Sequence, residues 1–275
     1  MTKIFSYQEF PWGTSEVEAG NPLSAGSIQL DRALMFLKTV RGKVLDVGCG
    51  AGNFTRGIKS ARKDLQLYGI DVGREAIRIA RKRSKNINYK AASAYKLPFK
   101  SLFFEGVVMF DVLEHIDYPD RAVSEVRRVL KKGGKCFLAV PLEASLWTAH
   151  GILFKIFGIK VKEKTYGHVQ QFSQKDLVKL LKRHGFDVVS VSYGDYFLFQ
   201  AVDVLYQLYL KLSGKRVQEL GYTLRKRSAI PKTIISLIFF IFVALTFFET
   251  KVFSGWLPGM DAHIGAIKSN GKFKK

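Results

Sequence analysis

The segment VLDVGCGAGNF, residues 44–54, determines how the rest of the sequence is interpreted. It begins in an apolar run that predicts a strand and leads into an amphipathic run that predicts a helix. Its three glycines allow a sharp turn and leave room for a ligand against the backbone. A dinucleotide-binding fingerprint needs its third glycine one position later, where this sequence has Asn53. Asp46 adds a carboxylate that would oppose a pyrophosphate, so the loop predicts a ligand other than a dinucleotide.

A second acidic residue supports the ligand-binding interpretation. Asp71 ends the next predicted strand, in LYGIDVG at residues 67–73. An acid at this place can accept hydrogen bonds from both hydroxyls of a ribose. Two simpler interpretations remain open at this point: the glycines form only a tight turn, and Asp71 only caps the following helix.

Short apolar runs alternate with amphipathic runs along most of the chain. They predict strands at residues 43–48, 65–71, 87–91, 106–111, 135–140, 187–193 and 262–268. Helices are predicted at residues 27–40, 53–62, 73–84, 118–134 and 173–185. This alternation indicates an α/β protein whose mainly parallel sheet is covered on both faces.

The glycine loop and the two acids together resemble the class I S-adenosylmethionine-dependent methyltransferases, in particular those that act on small molecules and lipids. The resemblance covers roughly residues 40–193 and the last strand. It implies a Rossmann-like, doubly wound sheet of seven strands in the order 3-2-1-4-5-7-6, with strand 7 antiparallel. A hydrophobic helical insertion would then lie between strands 6 and 7. The implied cofactor is S-adenosyl-L-methionine.

The resemblance also implies which residues bind the cofactor. The glycine loop would pass beneath it, with Asp46 near the methionine moiety and Asp71 on the ribose. Ser93 stands where the family has an Asp that holds the adenine amino group, and a hydroxyl can also accept that hydrogen bond. The implied cofactor-binding residues are Asp46, Gly48, Gly50, Gly52, Asp71, Val72, Ser93, Ala94, Phe110 and Asp111.

Three residues are candidates for a catalytic base: Asp111, His115 and His168. Asp111 and His115 lie in FDVLEHI, residues 110–116, and His168 precedes a predicted helix. A sulfonium methyl group is already activated, so a base is needed only for a hydroxyl or an acidic carbon. Capping or core packing is the alternative for Asp111 and His115, and an exposed loop position is the alternative for His168.

The composition indicates an anionic partner and an intracellular environment. The chain has 44 Lys and Arg against 23 Asp and Glu, a net charge of +21. Such a charge attracts nucleic acid or anionic lipid. Cys49 and Cys136 are predicted to be buried free thiols, and their surroundings lack metal-ligand spacing, so we expect no metal. The first residues contain no apolar signal segment, so we expect the catalytic domain on the cytoplasmic side.

The uncharged run TIISLIFFIFVALTFF, residues 233–248, lies in the long connection between strands 6 and 7. A spanning helix needs about 20 apolar residues, and a single crossing would carry strand 7 away from its sheet. We therefore expect residues 194–259 to enter one leaflet and return, helped by a second apolar insertion at 142–166. The residues expected near the lipid headgroups are Arg216, Arg225, Lys226, Arg227, Lys232 and Trp256. A soluble lid over the pocket is the alternative.

These observations predict a helical cap (1–42), a methyltransferase domain (43–193 with 260–268), the insertion (194–259) and a basic tail (269–275). We expect methyl transfer to a lipidic, isoprenoid-like or lipid-linked acceptor by a protein that is peripheral or monotopic on the inner face of the membrane. An RNA methyltransferase is the first alternative, favoured by the charge. Nucleic acid is the less expected partner, because the loop after the fourth strand lacks an Asn/Asp-Pro-Pro-aromatic motif. The sequence also leaves open a methyltransferase of soluble small molecules and a non-catalytic membrane scaffold.

Overall fold

A computed structural model describes residues 16–21, 24, 26–159, 162, 166–213, 232–254 and 256–269. The helices are α1 Ser27–Phe36, α2 Asn53–Ala61, α3 Arg74–Arg83, α4 Pro119–Val129, α5 Ala149–Phe157, α6 Gln174–Arg183, α7 Phe197–Ser213 and α8 Lys232–Phe253. The strands are β1 Lys43–Val47, β2 Gln66–Asp71, β3 Asn88–Ala91, β4 Phe104–Phe110, β5 Leu130–Pro141, β6 Phe186–Gly194 and β7 Asp261–Lys268. A short 3-10 turn, Leu113–His115, follows β4.

The seven strands form one sheet in the order β3-β2-β1-β4-β5-β7-β6. Strands β1 to β5 pair in parallel, and β7 lies antiparallel between β5 and β6. This confirms the predicted fold class, strand order and direction of strand 7. Because parallel strands end at one edge, the loops after β1, β2, β4, β5 and β6 meet there. Strand β7 runs the opposite way, so its first residue, Asp261, also lies at this carboxyl edge.

Helices cover both faces of the sheet, and each face has its own buried core. One core includes Val123 of α4 and Leu177 of α6. The other includes Leu30 of α1, Ile58 of α2 and Ile77 of α3. Strand β1 is buried along almost its whole length, as expected for the central strand of a covered parallel sheet. The two cores hold the carboxyl edge in place from both sides.

One predicted helix was wrong in its last five residues, 130–134. The helix predicted at residues 118–134 ends at Val129, and the chain continues directly into β5. Leu130 pairs with Phe104 before the register shifts, and both side chains are fully buried. Gly133 has a φ of 67° within this irregular start. Burial of Leu130 against the neighbouring strand outweighs the helical tendency of the sequence pattern.

The connection between β6 and β7 contains α7 and α8, which confirms the predicted helical insertion. Phe253 at the end of α8 packs against Tyr196 and Phe197 at the start of α7. Within the described residues, no helix is both long enough and apolar enough to cross a membrane. Four of the basic residues predicted near headgroups fall in residues 214–231, outside the described part of the chain. The predicted domain boundaries stay a prediction.

Candidate active site

The glycine loop connects β1 to α2 at the carboxyl edge, as the sequence predicts. Gly48 and Gly52 have φ values of 77° and 81°, a left-handed conformation that favours glycine. A Cβ atom at Gly52 would lie 2.3 Å from the Tyr89 hydroxyl oxygen, and one at Gly48 would lie 2.4 Å from Val112 Cγ2. Neither position has space for a side chain, so the loop offers bare backbone to a ligand.

Asp71 ends β2 and binds the glycine loop through its side chain. Its Oδ2 accepts a hydrogen bond from the Gly50 N–H at 2.9 Å, and its Oδ1 accepts one from the Gly73 N–H at 2.7 Å. Burial raises the pKa of Asp71, and these two hydrogen bonds oppose that rise. Gly73 is the N-cap of α3, so the alternative that Asp71 is the cap residue is wrong. The carboxylate instead joins the ends of β1 and β2.

Asp46 is a second carboxylate beneath the loop. It lies in β1 with 1% of its surface exposed, and the Thr55 hydroxyl donates a hydrogen bond to its Oδ2 at 2.6 Å. Burial raises the pKa of Asp46 to about 7, opposed by Thr55 and reinforced by the nearby Asp71. A positive charge beside these acids would favour their ionised form. The pair therefore fits a cationic ligand such as a sulfonium or an ammonium group.

The remaining predicted cofactor residues follow the neighbouring strands. Phe110, at the end of β4, stacks on Phe54 with ring centroids 4.0 Å apart. Val72 follows β2 and is 56% exposed. The Ser93 hydroxyl, just after β3, accepts a hydrogen bond from the Tyr95 N–H at 3.2 Å. The fold thus brings all the predicted cofactor residues to the carboxyl edge of β1 to β4, Ala94 among them.

Asp111 begins the loop after β4 in a strained conformation. It is exposed and has a φ of 52°, which is uncommon for a residue with a side chain. Its carboxyl group is nevertheless partly enclosed by the surrounding protein, and this enclosure, followed by the carboxyl groups of Asp261 and Asp195, raises its pKa. Asp195 has a φ of 56°, and burial and Asp261 raise its pKa to about 7. The Gln29 side chain donates to Asp261 Oδ2 at 2.6 Å. Asp111, Asp195 and Asp261 thus form one acidic cluster at the carboxyl edge.

His115 and His168 lie against each other, edge to face, with ring centroids 4.6 Å apart. His115 Nδ1 is 3.4 Å from the Gly167 carbonyl oxygen. Burial, followed by the nearby His168, lowers the pKa of His115 to about 3. His168 is 6% exposed and its Nδ1 is 2.7 Å from Glu143 Oε1. The alternative that His168 lies in an exposed loop is therefore wrong.

Sequence reasoning missed four acids that surround the three candidate bases: Glu114, Glu143, Asp195 and Asp261. Glu114 is 1% exposed, and among the described residues neither of its carboxyl oxygens has a hydrogen-bond partner. Burial, followed by Asp111, raises its pKa. Glu143 and Asp195 come just after β5 and β6, so their positions at strand ends were the signal that could have identified them.

The cluster around the histidines is compact enough to raise the question of a metal ion. Glu114, His115 and His168 each place one potential ligand atom within 4.8 Å of the others. The pairing of His168 Nδ1 with Glu143 leaves Nε2 as the ring atom that could bind a metal, and the Lys162 ammonium lies 4.0 Å from the Glu143 carboxyl oxygen. Burial, His168 and the Lys162 charge together lower the pKa of His115, so the field of this ammonium group reaches the cluster and disfavours a second cation there. The expected absence of a metal stays a prediction.

Known proteins match this sequence and this fold. A family profile described as a methyltransferase domain matches residues 27–191, more than half of the chain. The mitochondrial ubiquinone biosynthesis O-methyltransferase of mouse is 32% identical over 160 residues, which are 54% of this chain and 42% of that relative. A ubiquinone biosynthesis O-methyltransferase of Xanthomonas oryzae is 32% identical over 124 residues, 43% of this chain and 51% of that relative. The chain thus spans about half the length of the curated relatives that it matches.

A solved structure gives the same result for the fold. The phosphoethanolamine N-methyltransferase 2 of Haemonchus contortus, in complex with S-adenosyl-L-methionine, has a TM-score of 0.58 and 18% identity. The alignment covers 96% of this chain and 56% of the Haemonchus chain. The fold and the glycine-and-acid site define a class I S-adenosylmethionine-dependent methyltransferase. The chain belongs to the methyltransferase domain family, and the sequence-based resemblance is confirmed.

Proposed function

We propose that this protein transfers the methyl group of S-adenosylmethionine to a lipidic acceptor of the isoprenoid-like or quinone-like type at a membrane surface. One observation carries the proposal: the bare glycine loop with its two acids and the most exposed apolar helices are attached to the same edge of the sheet. The two relatives named for ubiquinone biosynthesis support a quinone-like acceptor.

We assign the cofactor roles as the resemblance implies them. The glycine loop would support the cofactor, and Asp46 and Asp71 would face its positive charge and its ribose. Phe110 would supply an apolar contact, while Val72, Ser93 and Ala94 would border the adenosine. When bound, S-adenosylmethionine supplies an activated methyl group. The chain itself must hold the acceptor in line with that group and keep water away.

The membrane part of the proposal concerns a surface on three helices, which we call the insertion surface: the exposed apolar side chains of residues 146–159, α7, α8 and Trp256. Helix α7 contacts both α5 and α8, so the three are neighbours. The most exposed side chains are 61–87% accessible: Leu146, Trp147, Ile156, Phe157, Leu205, Phe248 and Trp256. Lys155 and Lys251 are exposed on the same helices. Apolar patches bordered by basic residues, in a protein of charge +21, fit an anionic membrane.

Vesicle flotation tests the membrane surface. The variant Ile156→Glu/Phe157→Glu should bind anionic vesicles at least tenfold more weakly, because full burial of each apolar side chain contributes about 1.5–3 kcal/mol. Met35→Glu is the control, since Met35 is 68% exposed at the far end of α1, where the neighbouring Phe36 accepts a hydrogen bond from Lys135 in the first half of β5. Unchanged flotation of the double variant, combined with a raised KM for the acceptor, would favour the soluble lid instead.

Mass spectrometry of membrane lipids tests the acceptor. Lipids incubated with the protein and S-adenosylmethionine should gain the mass of one methyl group, and lipids incubated with the Asp71→Ala variant should not. A methylated species in the RNA fraction, with lipids unchanged, would contradict the proposal and support methylation of RNA.

A further inference from the structure

Two buried residues at the carboxyl edge form a short hydrogen-bonded pair. Glu143 lies just after β5 and His168 lies between α5 and α6, and they are 4% and 6% exposed. The distance from His168 Nδ1 to Glu143 Oε1 is 2.7 Å. A carboxyl oxygen at this distance assigns the proton to Nδ1, which leaves the lone pair on Nε2. This is the orientation that an imidazole needs to act as a base through Nε2.

Backbone contacts hold the pair in place. The Ala144 N–H, next to Glu143, donates to the Phe172 carbonyl at 3.0 Å. The Val169 N–H, next to His168, donates to the Glu114 carbonyl at 2.8 Å. The His168 ring is further fixed by the edge-to-face contact with His115. A pair whose backbone and ring are both fixed keeps its geometry through a reaction.

The buried ammonium group of Lys162 lies near the Glu143 carboxyl group. Lys162 Nζ is 4.0 Å from Glu143 Oε1 and 3.1 Å from Asp203 Oδ2 of α7. Burial opposes the charge of Lys162, but Asp203 and Glu143 raise its pKa above the usual value. The ammonium group therefore balances the negative charge of the pair in a site that is shielded from water.

We propose that His168 is the general base for a hydroxyl acceptor and that Glu143 is its positioning residue; this rests on the proposed function. His168 Nε2 takes the proton of the acceptor O–H while the oxygen forms its bond to the methyl carbon. The carbon–sulfur bond breaks, its electron pair goes to sulfur, and S-adenosylhomocysteine is released. The imidazolium that forms donates from Nδ1 to Glu143, and it then returns its new proton to water.

The other candidate bases fit this role less well. His115, whose pKa is about 3, is too weak a base at neutral pH. Asp111 has a raised pKa and a strained backbone, and the charged groups that act on it most strongly are the acids Asp195 and Asp261. A metal ion at the histidines would occupy His168 Nε2, the atom that the base role needs, so the two roles exclude each other and the test below distinguishes them.

The test measures methyl transfer from radiolabelled S-adenosylmethionine into a total membrane lipid extract. Glu143→Gln should lower the rate at saturating cofactor by about 100-fold or more, the usual contribution of a well-placed base. Glu143→Asp should retain part of the rate, because it keeps a carboxylate. Glu75→Gln is the matched control, since Glu75 is an exposed acid on α3 that pairs with Arg78. Affinity for S-adenosylmethionine, measured by calorimetry, should be unchanged in all three variants.

A pH series separates a positioning role from a merely structural one. The phenolic hydroxyl of a quinol-type acceptor, like that of Tyr, ionises without help as the pH rises towards about 10, so the deficit of Glu143→Gln on such an acceptor should shrink. A Glu143→Gln rate within threefold of wild type would overturn the inference, and so would a deficit that is equal at every pH. Activity lost in EDTA and restored by Mg²⁺ or Zn²⁺ would overturn it in favour of a metal site. If the wild-type protein methylates no lipid, the proposed function is refuted, and the inference that rests on it is refuted as well.

Discussion

Replacing Asp46 by Asn should stabilise the ligand-free protein while weakening cofactor binding. Asp46 is 1% exposed in β1, and the Thr55 hydroxyl donates to it at 2.6 Å. Burial raises its pKa from 3.8 to about 7. Asn has the same size and can still accept the hydrogen bond from Thr55, but it carries no charge that must be buried.

The size of the effect follows from the pKa of Asp46 and depends on pH. The difference between 3.8 and about 7 corresponds to roughly 4 kcal/mol. Because the folded pKa is the higher one, the folded state favours the protonated form, and stability is lost as the pH rises from 3.8 to about 7. About 1.6 kcal/mol of this loss has occurred at pH 5, and the full loss is present at pH 8. The advantage of Asp46→Asn over wild type should therefore grow by about 2–3 kcal/mol between these pH values.

Urea unfolding followed by circular dichroism at pH 5 and pH 8 measures this difference. The control is Asp64→Asn, which removes an exposed acid that is paired with Arg62 and should gain no stability as the pH rises. Calorimetry on the same proteins should show S-adenosylmethionine bound at least tenfold more weakly by Asp46→Asn. A variant advantage that is equal at both pH values would refute the assigned burial cost. Unchanged cofactor affinity would show that the Asp46 charge does not contribute to cofactor binding.

Three further predictions concern the loop, the histidines and the insertion surface. Gly52→Ala should lower stability by at least about 1 kcal/mol in urea unfolding and weaken cofactor binding, because its Cβ would press on the Tyr89 hydroxyl at a φ of 81°; wild-type behaviour would contradict the loop geometry. His115 is neutral in the folded state, so its contribution to stability should be lost as the pH falls from 6.5 towards about 3, by roughly 1.4 kcal/mol per pH unit. His115→Asn should flatten this part of the stability curve, and an unchanged slope would argue against the burial of His115. Ile156→Glu should reduce binding to anionic vesicles in flotation while Met35→Glu does not; equal losses would point to a general effect of charge.

The fold followed from local patterns in the sequence, and the places of the predicted cofactor residues in the structure followed from the fold. The glycine loop, Asp46 and Asp71 lie next to strands whose apolar runs are easy to recognise, so their positions at one edge follow from topology alone. The start of β5 was misjudged because the amphipathic pattern of α4 runs on through Leu130, and only the partner strand reveals the change.

The group of acids and histidines near the ends of β5 and β6 was much harder to predict. Glu143, Asp195 and Asp261 are far apart in the sequence and come to the same edge of the sheet because β7 inserts between β5 and β6. The contact between His168 and Glu143 spans 25 positions, and the sequence around His168 has no periodic signal. Lys162 of the 142–166 insertion forms an ion pair with Asp203 of the 194–259 insertion. The apolar patterns of the two insertions gave no sign of this pairing.

Calorimetric titration with S-adenosylmethionine tests the central claim most directly. The glycine loop and its acids should bind one equivalent in the wild-type protein. Asp71→Ala should abolish the binding, while Glu75→Ala, on the exposed face of α3, should leave it intact. A wild-type protein that gives no binding heat, or an Asp71→Ala variant with wild-type affinity, would contradict the account.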